Sequence, residues 1–444
     1  MRVSVIGAGY VGLVTGVCLA KKGHKVACVD QDAKRVELIN KGFAPICEQG
    51  LEALLRETLG DRFQATTDLV SAVTESELTL VCVGTPSGAS GPDLGQLKAA
   101  SLSIGKVLRH KSSRHVVVVK STVIPGTTDE IVRPILEDSS GKIAGPGFGL
   151  GANPEFLREG LAVDDFMTPD RIIAGGVDSL THDAIQELYA PFGAAPFVRT
   201  NNKTAEMIKC ASNALLATLI SFSNEIGNLG AAIGDIDAQD VMRGIHLDKR
   251  FSISDGERRY LPGIVSYLEA GCGFGGSCLP KDVQALIFKG GEIDVSTRVL
   301  SSVAAVNDGQ PYEVVQRILR HYPSLYRVKV CVLGLAFKPG TDDMRESPAI
   351  AVIRSLASFG AFIAAYDPAA MENASKILMD VPIDYKSSLQ DAVSDAEVVV
   401  VLTKWPEFGS LPDVLQSSGS QPLVVDGRRM FQKKSIQRYE GLGA

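Results

Sequence analysis

Cys278 lies in the decapeptide GFGGSCLPKD, Gly273 to Asp282, behind two glycines and a serine and ahead of a proline, with Lys281 and Asp282 following. A cysteine present only for packing more often sits in an apolar run, whereas this one stands where loop residues give way to a helix start. Its chemistry could be that of a nucleophile, a metal ligand or a bystander. If the helix begins near Leu279, Pro280 suits its first turn, and Cys278 and Asp282, four apart, share a face. Lys209 and Asn213 have the same spacing on another helical segment, where Lys209 taken alone reads as a surface lysine. Near the N-terminus, Gly7-x-Gly9-x-x-Gly12 offers backbone recognition of a pyrophosphate. Asp30 adds a carboxylate that would bind the ribose 2′-OH of NAD and repel the 2′-phosphate of NADP.

These residues need elements to hold them. VSVIGAGYVGLVTGVCLAKKGHKVACVD reads as a short buried strand, the glycine turn, an amphipathic helix, a stop at Gly23 and a second strand ending in Asp30. The glycines permit a tight turn and close backbone approach to pyrophosphate, while the helix N-terminus supplies free N–H groups and a positive dipole end. ELTLVCVGTPS and RHVVVVKSTVIPGTT continue the sheet. They place Gly84, Thr85 and Pro86, and then Ser121 and Thr122, at carboxyl strand ends beside the cofactor, with ordinary turn chemistry as the alternative.

RVKVCVLGLAFKPGTDDMRESPAIAVIRSLASFGAFIAAYDP repeats the opening in outline, from Gly334 through Gly360 to Asp367, without a third glycine and with Phe337, Lys338 and Arg345 in the loop. This is a second Rossmann-like half in which cationic side chains replace the glycine turn. They suit a second phosphorylated ligand unless they are merely a solvated cluster. EVVVVLT and PLVVDGRR supply its closing strands. Between the halves, apolar residues recur at three- and four-residue intervals for about thirty positions from Asn202, a spine helix and a natural dimer surface. The expected fold class is α/β: two Rossmann-like doubly wound domains joined by a central helical region with a long spine helix.

Composition narrows the function classes. At 444 residues, 45% hydrophobic and 22% charged, the chain is a folded protein of two or three domains. A net charge of −6 argues against a nucleic-acid surface. The opening MRVSVIGAGY enters a strand without a secretory pattern, and no apolar run approaches the ~18 residues of a membrane span. A cytoplasmic protein with no membrane or nucleic-acid partner is expected. The eight cysteines contain no C-x-x-C pair, which supports neither a metal site nor a disulfide framework. Cys18, Cys28, Cys82 and Cys331 sit in apolar segments as small core residues.

GAGYVG at the start, NPEFLREG from Asn153 to Gly160, Lys209 with Asn213, GFGGSCLPKD, GLAFKPGTDDMRESP and DGRR follow one another along the chain. Together they resemble the UDP-glucose/GDP-mannose dehydrogenase family from end to end. The GFGGSC form is most similar to that of the UDP-glucose 6-dehydrogenases in the family, with GDP-mannose or another nucleotide-sugar 6-dehydrogenase as the alternative. The resemblance implies an NAD-binding domain over 1–200, a central helical dimerisation region carrying the cysteine over 201–310, and a nucleotide-sugar domain over 311–444. A homodimer or higher homo-oligomer is implied with it.

It also implies a four-electron oxidation in one site, turning the sugar C6 alcohol into a carboxylate with two NAD. That chemistry explains a need for a cysteine. A free aldehyde has no adjacent oxygen able to expel a second hydride, whereas a thiohemiacetal does, and the resulting thioester opens to water. Cys278 is on that ground the nucleophile.

By the same resemblance, Lys209 and Asn213 stabilise oxyanions. Asp282 holds a water or assists as base, Thr122 supports that water, and Glu155 promotes thioester hydrolysis. Donors aimed at developing negative charge are worth several kcal/mol in a water-poor site, and a neighbouring cation with a helix N-terminus lowers a thiol's pKa. Cofactor contacts fall to Gly7, Gly9, Tyr10, Val11, Gly12, Asp30, Arg35, Thr85, Thr122, Glu159 and, at the pyrophosphate, Arg345. Substrate contacts fall to Glu155, Phe156, Leu157, Lys209, Asn213, Tyr267, Gly271, Gly275, Phe337, Lys338 and Arg428, with the 267–276 loop wrapping sugar and phosphates. No metal is implied. APICEQGL departs from the family pattern at Cys47 and Gln49, where an aromatic residue and a proline are common. HLDKRFSISDGERRYLPGIV is longer than usual, and it leaves open which of Arg250, Arg258 and Arg259 is the arginine that members often supply from the partner subunit.

Two other classes share some of these features. Two-electron hydroxyacid dehydrogenases also carry a lysine and an asparagine four apart on a long helix, but they need no cysteine and leave the second half unexplained. A regulatory NAD-binding protein whose Cys278 responds to oxidation would show a similar thiol. NADH released per substrate separates the three.

Overall fold

The computed structural model describes residues 1–88, 91–255 and 258–444. Two compact units divide them: Met1–Ser212 with Gly291–Ile293, and Asn213–Gly290 with Asp294–Ala444. In the first, eight strands form one sheet in the order Phe197–Thr200, Ile172–Gly176, Gly149–Ala152, Val116–Val119, Leu78–Val81, Arg2–Ile6, Lys25–Val29, Phe63–Thr66. Neighbours run parallel, except that Gly149–Ala152 meets Ile172–Gly176 antiparallel. VVVV at Val116–Val119 and LTLV at Leu78–Val81 are buried throughout, as strands between two helix layers must be. Each such Val or Leu contributes about 1.5–3 kcal/mol by leaving water. Strand order reverses between Arg2–Ile6 and Leu78–Val81, which is where an open sheet leaves a crevice for a ligand.

The second unit repeats this plan with six parallel strands, ordered Ile383–Tyr385, Phe362–Tyr366, Lys329–Leu333, Val398–Val401, Leu423–Asp426, Tyr439–Gly441. Its reversal lies between Lys329–Leu333 and Val398–Val401. The α/β, doubly wound class read from the sequence thus occurs twice in the chain.

The helix Asn202–Ile233 is 32 residues long. It starts where the Asn201 side chain accepts the Thr204 N–H at 2.8 Å and ends at the left-handed Gly234, φ +89. The sequence contains no unbroken apolar run of spanning length, yet this helix is long and apolar enough by composition to cross a membrane, with 39% of its most apolar window buried. Three of its four charged residues, Lys203, Glu206 and Lys209, lie in the first turns, with Glu225 farther along. In the second unit it packs Ala214 and Ala217 against Phe274, Val283 and Val303. The long segment at 246–265 forms an antiparallel pair, Ile253–Asp255 with Arg258–Tyr260. There Arg250 is paired with Asp248 at 2.5 Å, and Arg258 and Arg259 are exposed.

Candidate active site

The glycine turn is closed on one side and open on the other. A Cβ on Gly7, φ +101, would lie 2.8 Å from the Cys82 carbonyl oxygen, and one on Gly12 only 1.8 Å from the Gly7 carbonyl oxygen. A Cβ on Gly9 would meet nothing within 4 Å. Gly9 precedes the helix Tyr10–Lys21, whose first N–H groups receive no side-chain cap. Asp30 follows the second strand; its carboxylate accepts the Ala8 N–H at 2.9 Å and lies 3.2 Å from the Arg35 guanidinium. An open, uncapped, electropositive turn with an acid at the next strand end fits a dinucleotide pyrophosphate and ribose. Thr85 donates its hydroxyl to the Thr122 carbonyl at 2.7 Å. Val11 is half-buried in the first turn of this helix.

Glu48, which sequence reasoning passed over, ties this turn to the NPEFLREG loop. Its carboxylate accepts the Tyr10 hydroxyl, the Gly160 N–H at 2.7 Å and the Ala162 N–H at 2.8 Å. Burial, then Glu48, raise the Tyr10 phenol well above its ordinary pKa, so it stays a neutral donor. Glu159 is half-buried in the same loop.

In the first unit Lys209, 4% exposed, is no surface lysine. Its ammonium stands 3.0 Å from Glu155 and 5.4 Å from the centre of the Phe156 ring, on which Arg171 also stacks at 3.9 Å. Glu155 further accepts the Leu157 N–H at 2.5 Å and the Thr122 hydroxyl at 3.4 Å. Burial opposes its charge, but Lys209, the Leu157 N–H and Lys120 outweigh burial and hold the carboxyl below the usual carboxylate range. The charged form is therefore the resident one. Breaking such a buried pair from one side costs about 3–5 kcal/mol.

In the second unit Cys278 immediately precedes the helix Leu279–Glu292, and its carbonyl accepts the Asp282 N–H at 2.9 Å. Its thiol is half-buried, with the Ser277 hydroxyl 3.5 Å away. Asp282, 1% exposed, accepts the Asn213 amide at 2.6 Å and pairs with Lys281 at 2.6 Å. Burial pushes the thiols of Cys18 and Cys82 up to about 12 and raises those of Cys28, Cys272 and Cys331 as well, which leaves them inert.

The loop before Cys278 is threaded through backbone too close for side chains. A Cβ on Gly275 would sit 2.2 Å from the Glu346 carbonyl oxygen, and one on Gly271 2.9 Å from that of Gly427. Asn224 accepts the Gly271 N–H at 2.8 Å, and Arg428 donates to the carbonyls of Gly273 at 2.8 Å and Leu402 at 2.7 Å. Arg428 thus shapes the loop. Phe337 lies against Gly276, Lys338 stands over the Phe337 ring at 5.6 Å, and Arg345 chelates Asp343. Tyr267 closes a short 3-10 turn, half-buried.

Residues 1–193 match the family model described as UDP-glucose/GDP-mannose dehydrogenase family, NAD binding domain; residues 203–309 match its central domain and 331–433 its UDP binding domain. A UDP-glucose 6-dehydrogenase of Haloferax volcanii is 41% identical over 100% of both chains. A GDP-mannose 6-dehydrogenase of Pseudomonas putida is 39% identical, also over 100% of both. The structure of a UDP-glucose dehydrogenase from Pyrobaculum islandicum superposes with a TM-score of 0.90 at 36% identity, covering 99% of this chain and 97% of that one. The cofactor is NAD.

Proposed function

We infer that this chain, which belongs to the UDP-glucose/GDP-mannose dehydrogenase family and is an NAD-dependent nucleotide-sugar 6-dehydrogenase, oxidises UDP-glucose to UDP-glucuronate through a covalent thioester on Cys278. NAD, when bound at Gly7–Gly12 and Asp30, accepts one hydride in each of two oxidations. Lys209 and Asn213, one helical turn apart on the Asn202–Ile233 helix, donate to the C6 oxygen as it gains negative charge. Asp282 takes the hydroxyl proton, directly or through a water supported by Thr122, as the first hydride leaves and the aldehyde forms. The Cys278 sulfur then bonds to the aldehyde carbon, giving a thiohemiacetal. Its oxygen expels the second hydride and the thioester results. Glu155, held charged beside Lys209, aids attack by water, which releases the carboxylate and restores the thiol.

The observation that carries this reading is the thiol itself. Among the described residues only Cys47 and Cys278 are not buried, and Cys278 alone directly precedes a helix, one whose Asp282 accepts the Asn213 amide. Phe337, Lys338, Arg428 and the 267–276 loop fit the nucleotide sugar. Nearly equal identity to GDP-mannose 6-dehydrogenases supports a second reading, GDP-mannose as substrate. Leu215, Phe222 and Leu229, spaced seven apart and 51%, 47% and 56% exposed, favour a homodimer through this helix.

Incubation with each nucleotide sugar and excess NAD is expected to release two NADH per UDP-glucose. Cys278→Ser should keep NAD binding while steady turnover falls by orders of magnitude. Wild-type turnover in that variant, or one NADH per sugar, would rule the mechanism out.

A further inference from the structure

Glu206 is a buried carboxylate that neither the cofactor turn nor the proposed chemistry uses. It is 2% exposed on the Asn202–Ile233 helix, three residues before Lys209. One oxygen accepts the Gly126 N–H at 2.6 Å and the other the Thr128 N–H at 2.8 Å. Gly126 is left-handed at φ +102, a backbone conformation that L side chains rarely adopt. One turn further along the helix, the Cys210 thiol donates to the Val123 carbonyl at 3.5 Å. The segment 121–128 is thus tied to two successive turns of one helix.

The same segment carries Thr122, whose hydroxyl reaches Glu155 at 3.4 Å. Glu155 in turn pairs with Lys209 at 3.0 Å. The contacts therefore close a ring within the first unit, from Glu206 through the segment to Thr122, Glu155 and Lys209, and back along the helix. A carboxyl group offers one acceptor oxygen to each of the two N–H groups. An amide would turn its NH2 toward one of them, and a methyl would satisfy neither.

We propose that Glu206 is a positioning residue for the reaction: by accepting both N–H groups it holds the 121–128 segment against the helix and sets Thr122 and Glu155 relative to Lys209. The proposal rests on the roles given to those three residues above. Burial outweighs the bonds from Thr128 and Gly126 and pushes the Glu206 carboxyl up to about 7. The charged groups facing it are few. Asp129, on the segment it holds, adds to the rise. Glu130 is paired at 2.6 Å with Lys203, one turn back on the Glu206 helix, and Lys209 is paired with Glu155.

The full-length wild type, Glu206→Gln and Glu206→Ala are compared between about pH 6 and 9 for NADH release, with amide hydrogen exchange of residues 121–132 as an activity-independent arm. Glu206→Gln is expected to lower kcat about tenfold with both KM values within about twofold, and Glu206→Ala to lower it further. Exchange should quicken in both variants. A lower Tm with kcat unmoved would reduce Glu206 to a structural role and overturn the proposal. Unchanged exchange in Glu206→Gln would overturn it whatever the turnover. If wild type releases no NADH from any nucleotide sugar, the proposed function fails, and the exchange arm still decides whether Glu206 holds the segment.

Discussion

The two α/β units begin alike and put the same residue type to opposite uses. In each, the first strand runs into a left-handed glycine, Gly7 at φ +101 and Gly334 at φ +92. The N–H of each bonds the last carbonyl of the second strand, Val29 at 2.7 Å and Tyr366 at 2.9 Å. An aspartate follows in both. Asp30, 9% exposed, accepts the N–H groups of Ala8 and Asp32 and pairs with Arg35. Asp367, 0% exposed, accepts five donors: the N–H groups of Leu335, Ala336, Ala369 and Ala370 and the Trp405 indole. A carboxylate offers about four lone-pair sites, so Asp367 has none to spare for a ligand. An acid at a switch point becomes a ligand group only where the chain leaves it unsaturated.

The turns differ in the same sense. The first keeps an open side at Gly9, where backbone can reach a pyrophosphate. The second continues into Phe337 and packs Gly275 and Gly276 against Glu346 and Phe337.

Substitutions can break or sharpen this contrast. Gly12→Ala should have the largest effect, because its Cβ would fall 1.8 Å from the Gly7 carbonyl oxygen and backbone must move. A loss of several kcal/mol in denaturant unfolding and at least a hundredfold in NAD affinity is expected. Next comes the aspartate pair. Asp367→Ala leaves five donors without their acceptor, three of them in buried bonds, and should cost about 3–5 kcal/mol of stability, with NAD affinity per folded molecule kept. Asp30→Ala should cost less than about 2 kcal/mol but weaken NAD binding about tenfold or more. Equal destabilisation by the two would erase the distinction. Smallest in stability is Gly9→Ala, whose backbone at φ −76 any residue adopts and whose Cβ meets nothing within 4 Å. Its unfolding midpoint should stay within about 0.5 kcal/mol of wild type while NAD titration shows clear weakening; an unaltered Kd would mean that the open side is not the pyrophosphate side.

Much of this was legible because it is local. The strand, glycine turn, helix and Asp30 lie within thirty residues as an apolar run, three spaced glycines and a second apolar run ending in an acid, although the helix expected to be amphipathic is buried on all sides from Gly12 to Ala20. The limits of the Asn202–Ile233 helix follow from Asn201 and Gly234, and Cys278 before Leu279 follows from Pro280. These patterns need no distant partner.

What the sequence could not decide depends on partners far along the chain. Glu48 bonds Gly160, and Glu206 bonds Gly126 and Thr128, yet each looks like any solvated acid in its own neighbourhood. Lys209 reads as a surface lysine until Glu155 closes on it, and Arg171 carries no motif at all. Asp367 repeats the Asp30 signal but is saturated by the Trp405 indole and two turns of backbone. Local pattern, apolar runs and spaced glycines, therefore determined the elements and the cofactor turn by itself, whereas the charge state and duty of each acid were decided by which donors tertiary folding delivered to it.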